Sequence, residues 1–168
     1  IAPGTGNVFI EAEPVTKLDT RISLKLAKQI ACESLPAISQ RCDNSDFFFR
    51  IEANASLVGG PSAGAAAAAL TIAAADDASI SQSVAVTGTI NSGGLIGQVG
   101  GLKEKIDAAG QSRLPMVLIP GGERYYKRPN QTAGSELDLV EHGKSLGVEV
   151  KEVSSIQEAL LQLTGKNH

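Results

Sequence analysis

Aromatic residues are scarce in this chain: four Phe, two Tyr and no Trp, 4% of 168 residues. A core built on stacked rings is thereby excluded, and Ala, Val, Ile and Leu must fill the interior. An excess of either charge is missing too. Fifteen basic residues stand against 18 acidic ones, a formal net charge of −3, and no run of Lys or Arg interleaves with aromatics. Nucleic acid is therefore not an expected partner. The longest apolar stretch, residues 63–75, is mostly Ala and falls short of the roughly 20 residues that a membrane span needs. Any membrane association would run through segments outside this sequence. Ile1 is not a natural start residue and no signal-peptide pattern leads the chain, so it reads as a trimmed or processed piece of a longer protein whose localisation is unknown.

Histidine and cysteine are nearly absent. His142, Cys32, Cys42 and the terminal His168 are too scattered for a four-ligand zinc centre, and no cofactor is expected either. The two cysteines lie ten residues apart, near the end of one expected helix and just before an expected strand. A disulfide and a pair of one buried and one exposed thiol are both open; an oxidised pair would fit an extracytoplasmic or thermophilic setting.

What is present describes one domain, residues 1–168, long enough to bury about two thirds of its unfolded surface. Residues 7–13 read as a strand. Asp19 reads as the N-cap of a helix whose apolar residues Ile22, Leu26, Ala27, Ile30 and Ala31 recur at helical spacing. Residues 46–55 read as a strand, 63–77 as a buried Ala-rich helix, and 83–90 as a strand. Residues 91–101, with five glycines, read as a hairpin or wide turn. A short helix follows over 102–109, then a strand at 115–120, a helix at 135–146, a strand at 148–153 and a helix at 155–163. This alternation predicts an α/β domain. Residues 121–134 have the composition of an exposed loop; Tyr125, Tyr126, Lys127 and Arg128 within it read as surface decoration.

The chemistry concentrates in two glycine-framed segments: Gly60-Pro61-Ser62-Ala63-Gly64, and Gly100-Gly101-Leu102-Lys103-Glu104-Lys105. A serine hydroxyl needs a base to take its proton as it attacks a carbonyl, and the two histidines are poorly placed, one on a late helix and one at the chain end. Lysine is the alternative. At about 100° per residue, Leu102, Ile106 and Ala109 share one helix face and Lys105 leans toward it, whereas Lys103 projects near Asp107 on the polar side. A lysine with an ordinary pKa of about 10.4 is almost wholly protonated at pH 7, so a lysine base must be desolvated; the Ala- and Gly-rich surroundings suit that. Free N–H groups at the start of the Ser62 helix suit an oxyanion, so the backbone of Gly60, Pro61 and Ala63 joins the candidate site. Plainer meanings exist for each residue alone: a serine after Gly-Pro is commonly a helix N-cap, and an inward-leaning lysine commonly snorkels.

Together the segments carry more than a dyad. Gly60-Pro61-Ser62-Ala63-Gly64, Val86-Thr87-Gly88-Thr89-Ile90, Val99-Gly100-Gly101-Leu102-Lys103-Glu104-Lys105 and Val117-Leu118-Ile119-Pro120 resemble, in order and spacing, the proteolytic domain of Lon proteases. The resemblance is strongest over residues 56–120. It implies a Lon proteolytic domain-like fold, with mixed small sheets and packed helices. It also implies a serine endopeptidase acting on unfolded or damaged proteins or peptides, with Ser62 as nucleophile, Lys105 as general base and Thr87 as hydrogen-bond partner of the lysine. Homo-oligomers, hexameric rings in particular, are implied as well. Residues 4–33 look more like archaeal Lon-like proteases without a fused ATPase, predicted to be membrane-associated or exported; the sequons Asn54-Ala55-Ser56 and Asn130-Gln131-Thr132 are compatible with export. Two departures stand out. Val58-Gly59 replaces the Lys-Asp pair usual before Gly-Pro-Ser, and residues 59–64 lack the Lys and Ser/Thr of a Walker A loop, so ATP independence is expected of this segment.

Rival readings remain at this level. Gly60 to Gly64 also fits G-x-S-x-G, which would make Asp138 and His142 the partners of Ser62 in an α/β-hydrolase. That fold wants a longer chain, and the two residues lie one helical turn apart, as a surface salt-bridged pair would. A catalytically weak peptide-binding or chaperone-like module is the other alternative, left open by the missing acidic residue.

Overall fold

The computed structural model describes residues 1–13, 15–34, 39, 42–126 and 136–165. His168, the Asn130 sequon and Lys127 and Arg128 lie outside the described residues.

The N-terminal half is organised by strand β4 (Ser45–Ile51), flanked by β1 (Ala2–Pro3), antiparallel, and β2 (Val8–Ala12), parallel. Alternation along β4 buries Phe47, at 2% exposure, and leaves Phe48 outside, where it stacks on Phe9 at 5.0 Å. The parallel β2–β4 pair needs a crossover, and helix α1 (Leu18–Ser34) belongs to it. Strand β3 (Val15–Thr16), just before α1, pairs in parallel with β5 (Leu57–Val58), which leads directly into Gly59 and Gly60. Helix α1 opens at Leu18, where the Arg21 N–H reaches the Lys17 carbonyl. Asp19 therefore sits inside the first turn rather than at the expected cap position.

The second half is a three-stranded parallel sheet, ordered β12 (Glu149–Val153), β9 (Met116–Pro120), β6 (Val84–Val86). Strand β9 is central and divides the core. Leu118 faces a cluster with α1, helix α2 (Gly64–Ala75) and helix α5 (Ile156–Thr164), whereas Val117 and Ile119 face another with helix α3 (Leu102–Gln111) and helix α4 (Leu139–Ser145). The fold is thus mixed α/β with several small sheets, as expected. Helix α2 is buried on most sides by small residues, among them Ala65, Ala68, Ala69 and Ala73, which lets α1 approach through Ala27 and Ala31. No helix of the described residues is long and apolar enough to cross a membrane.

Several elements differ from the sequence expectation. Tyr125 and Tyr126, expected as loop decoration, pair as a short strand, and Tyr126 packs against the cluster of α3 and α4. The strand expected over 83–90 breaks: β6 ends at Val86, Thr87 and Gly88 leave the ladder, and β7 (Thr89–Ile90) turns into an antiparallel hairpin with β8 (Ile96–Gly97). The helix expected over 135–146 is shortened. Leu137 and Asp138 instead form β11, paired with β10 (Tyr125–Tyr126), and Asp138 caps α4 by accepting from the Val140 and Glu141 N–H groups.

Cys32 and Cys42 are joined by a disulfide that closes ten residues between the end of α1 and the start of β4. Loop-closure entropy for a ring this small amounts to about 2.5–3 kcal/mol. The Cys32→Ser/Cys42→Ser variant is accordingly expected to melt roughly 5–10 °C below the oxidised protein in differential scanning calorimetry.

Candidate active site

Ser62 occupies the middle of a 3-10 turn, Pro61–Ala63, that precedes α2. The expectation put it at the helix start; one tighter turn intervenes, closed by the Gly64 N–H on the Pro61 carbonyl. Gly60 enters the turn at φ 100° and ψ 146°, a conformation that costs any residue with a Cβ.

The break in the 83–90 segment anchors this turn. Gly88 donates its N–H to the Ser62 carbonyl at 3.0 Å and accepts from the Ala65 N–H at 3.1 Å, while the Thr87 N–H is held by the Leu118 carbonyl of β9 at 3.0 Å. Glycine is required at 88 for space: a Cβ there would come within 2.4 Å of Ile96 Cγ2 and 3.4 Å of Ala65 Cβ.

Thr87 is buried, at 8% exposure, and links the two candidate residues. Its hydroxyl accepts from Lys105 Nζ at 2.9 Å and lies 3.5 Å from the Ser62 carbonyl oxygen, to which it can donate. Among the described residues no hydrogen bond joins the Ser62 hydroxyl directly to Lys105. Helix α3 presents Leu102, Ile106 and Ala109 to the core, as the helical wheel requires, and Lys105 is half-buried beside them. Burial pushes the Lys105 amine below its ordinary value. The amine borders a cavity of about 400 Å³ lined by Ala85, Thr87, Ala108, Ala109 and Leu114. A larger cavity of about 580 Å³ lies beside α1 near Cys32 and Cys42, with neither Ser62 nor Lys105 on its wall.

Lys103, itself partly buried, is paired one turn along the helix with Asp107. Asp107 also meets His142 Nε2 at 2.6 Å, and Lys103 and His142 together hold its carboxyl below the usual value. Asp138 is committed elsewhere, to the α4 cap and to Arg124 at 2.7 Å. His142 and Asp138 thus have separate partners, and neither is hydrogen-bonded to Ser62; the Ser/His/Asp alternative has no geometry behind it.

The backbone of the turn is more restricted than expected. Pro61 has no N–H, and the Gly60 N–H is taken at 3.0 Å by Asp19 Oδ2; the oxyanion role envisaged for both is closed to them as donors. Ala63, exposed at the end of the turn, keeps its place in the candidate segment. Asp19 was missed as a site residue, because a contact spanning 41 residues leaves no trace in local sequence pattern.

Fold and site are those of a mixed α/β domain built round a glycine-framed serine turn, and its family follows from comparison with known proteins. The family model for the Lon protease (S16) C-terminal proteolytic domain matches residues 10–164. The chain belongs to that family of serine proteases. It is 32% identical over 134 residues to a Lon protease of Phenylobacterium zucineum, covering 77% of this chain and 17% of that protein. It is also 32% identical over 142 residues to one of Methylocella silvestris, covering 83% and 17%. The archaeal Lon protease of Methanocaldococcus jannaschii is 29% identical over 121 residues, covering 70% and 18%. The chain therefore spans less than a fifth of the length of these relatives.

A desolvated Lys105 releases its proton at lower pH than an exposed lysine. In an NMR titration of the lysine side chains, Lys105 is expected to lose its proton first, below the ordinary midpoint of about 10.4; co-titration with the surface lysines contradicts the burial argument.

Proposed function

We propose that this domain hydrolyses peptide bonds in unfolded proteins, with Ser62 as nucleophile and Lys105 as general base, and that this segment needs no ATP to do so. The observation that carries the reading is the chain of contacts from the half-buried Lys105 amine through the Thr87 hydroxyl to the Ser62 turn. In the neutral form, Lys105 Nζ takes the proton of the Ser62 hydroxyl as its oxygen attacks the substrate carbonyl, and returns it to the departing amine. Water then attacks the acyl-serine with the same lysine as base. Thr87 holds the amine in place through both proton states. Apo geometry is commonly looser than the reacting arrangement, so the hydroxyl turns onto the amine when substrate fills the site. The N–H groups of Ser62 and Ala63 are the donors left to face the oxyanion.

Family membership supports protein or peptide substrates and a homo-oligomer, with a hexamer as the specific expectation. The peptide-binding alternative makes a different prediction for the same experiment. With unfolded protein as substrate and no ATP added, wild type degrades it while Ser62→Ala and Lys105→Met do not, each losing at least about 10³-fold in rate. Equal decay in wild type and Ser62→Ala overturns the proposal. Activity is expected to rise with pH, because the unprotonated amine is the active form and its fraction grows as pH passes the lowered pKa of Lys105.

A further inference from the structure

Gly59 brings no side chain to the nucleophile turn, and the space a Cβ would need there is filled by the Lys17 side chain, whose Cδ would lie 2.5 Å away. A carboxylate reaches the turn from another element. Asp19, in the first turn of α1, accepts from the Gly60 N–H through Oδ2 at 3.0 Å and from the Thr20 N–H through Oδ1 at 2.7 Å. Thr20, at 1% exposure, donates its hydroxyl to the Gly60 carbonyl at 3.3 Å. Consecutive residues of α1 thus grip the N–H and the carbonyl of Gly60, one on each side of its Cα.

That residue is the one whose torsions aim the serine. Gly60 holds φ 100°, and a Cβ on it would meet nothing within 4 Å, so neighbouring side chains do not wedge it into this conformation. The following Pro61 has a ring-fixed φ, so the torsions of Gly60 set the direction in which Ser62 leaves the turn. We propose that Asp19, assisted by Thr20, is a positioning residue that clamps Gly60 in the conformation presenting Ser62 to substrate. It acts on the nucleophile and not on the base: burial alone moves the Lys105 amine, with no contribution from Asp19. The bond from Gly60 is also the largest cause holding the exposed Asp19 carboxyl below its usual value, so the clamp stays ionised at neutral pH and weakens as pH falls through that lowered value. The inference rests on Ser62 being the nucleophile.

The test is the rate of Ser62 labelling by a fluorophosphonate, with peptide kcat and KM, across pH, in wild type, Asp19→Ala, Asp19→Asn, Thr20→Val and Ser62→Ala. Misplacing a nucleophile by about 1 Å costs on the order of 10²-fold. Asp19→Ala is expected to lower labelling and kcat by about 10- to 100-fold, with KM nearly unchanged and the alkaline limb of the pH profile where it was. Asp19→Asn, whose amide oxygen still accepts from Gly60, restores labelling to within about threefold of wild type. Should Asp19→Ala fail to fold, Thr20→Val carries the claim with a loss of about threefold or more. Asp19→Ala labelling at the wild-type rate, Thr20→Val doing so in its place, or a shifted alkaline limb overturns the positioning role. A wild type as unreactive as Ser62→Ala overturns the nucleophile assignment itself.

Discussion

Gly88 donates to the Ser62 carbonyl and accepts from the Ala65 N–H, and this pair of backbone bonds ties the Ser62 turn to the second sheet. Gly88 can make them only because Thr87 and Gly88 step out of the sheet between β6 and β7, leaving Thr87 tied to β9 by its N–H on the Leu118 carbonyl. Strand β9 lies at the centre of the second sheet, buried on both faces. The serine turn is thereby tied through two residues to the central, buried strand of the second sheet. Absence of a side chain at 88 is the steric condition, since Ile96 and Ala65 close on that position.

The second constraint is electrostatic. A lysine amine in partly apolar surroundings is expensive to charge, and its first relief here is one hydroxyl, that of Thr87. One acceptor orients the amine without supplying a counter-ion that would hold its proton. Lys103, about 200° round the same helix and paired with Asp107 one turn on, shows the opposite case. Two lysines two residues apart on α3 are thus given different partners by their direction, a hydroxyl for Lys105 and a carboxylate for Lys103. Acidic groups near the site are handled consistently with this: Asp19 is spent on the Gly60 backbone, and Asp107 on Lys103 and His142.

Much of this was legible in the sequence, and what was not has identifiable causes. The 3.6-residue repeat of Leu102, Ile106 and Ala109 placed Lys105 correctly, because α3 is amphipathic and its face is decided locally. The Ala-rich run gave α2 for the same reason. The segment from Ser83 to Ile90 looked like one strand because Val, Thr and Ile favour strands whether or not they pair; the break comes from bonds to a turn more than twenty residues earlier. Helix α4 was overextended because Asp138, a strong capping residue, was read as helical interior. The Cys32–Cys42 spacing permitted a disulfide without requiring it. Asp19 was read as a cap, the common meaning of an Asp at a helix head; only the fold shows that β5 delivers Gly60 beside it.

The central claim is that the Lys105 amine, whose hold on its proton burial weakens, is the base for Ser62. It is tested most directly by measuring the pH dependence of kcat/KM on a peptide substrate and the titration of the Lys105 side chain by NMR in the same ligand-free protein. The account predicts one midpoint for both, below that of an exposed lysine. A rate profile that stays flat through the Lys105 titration, or turns at a pH where Lys105 remains fully protonated, contradicts it.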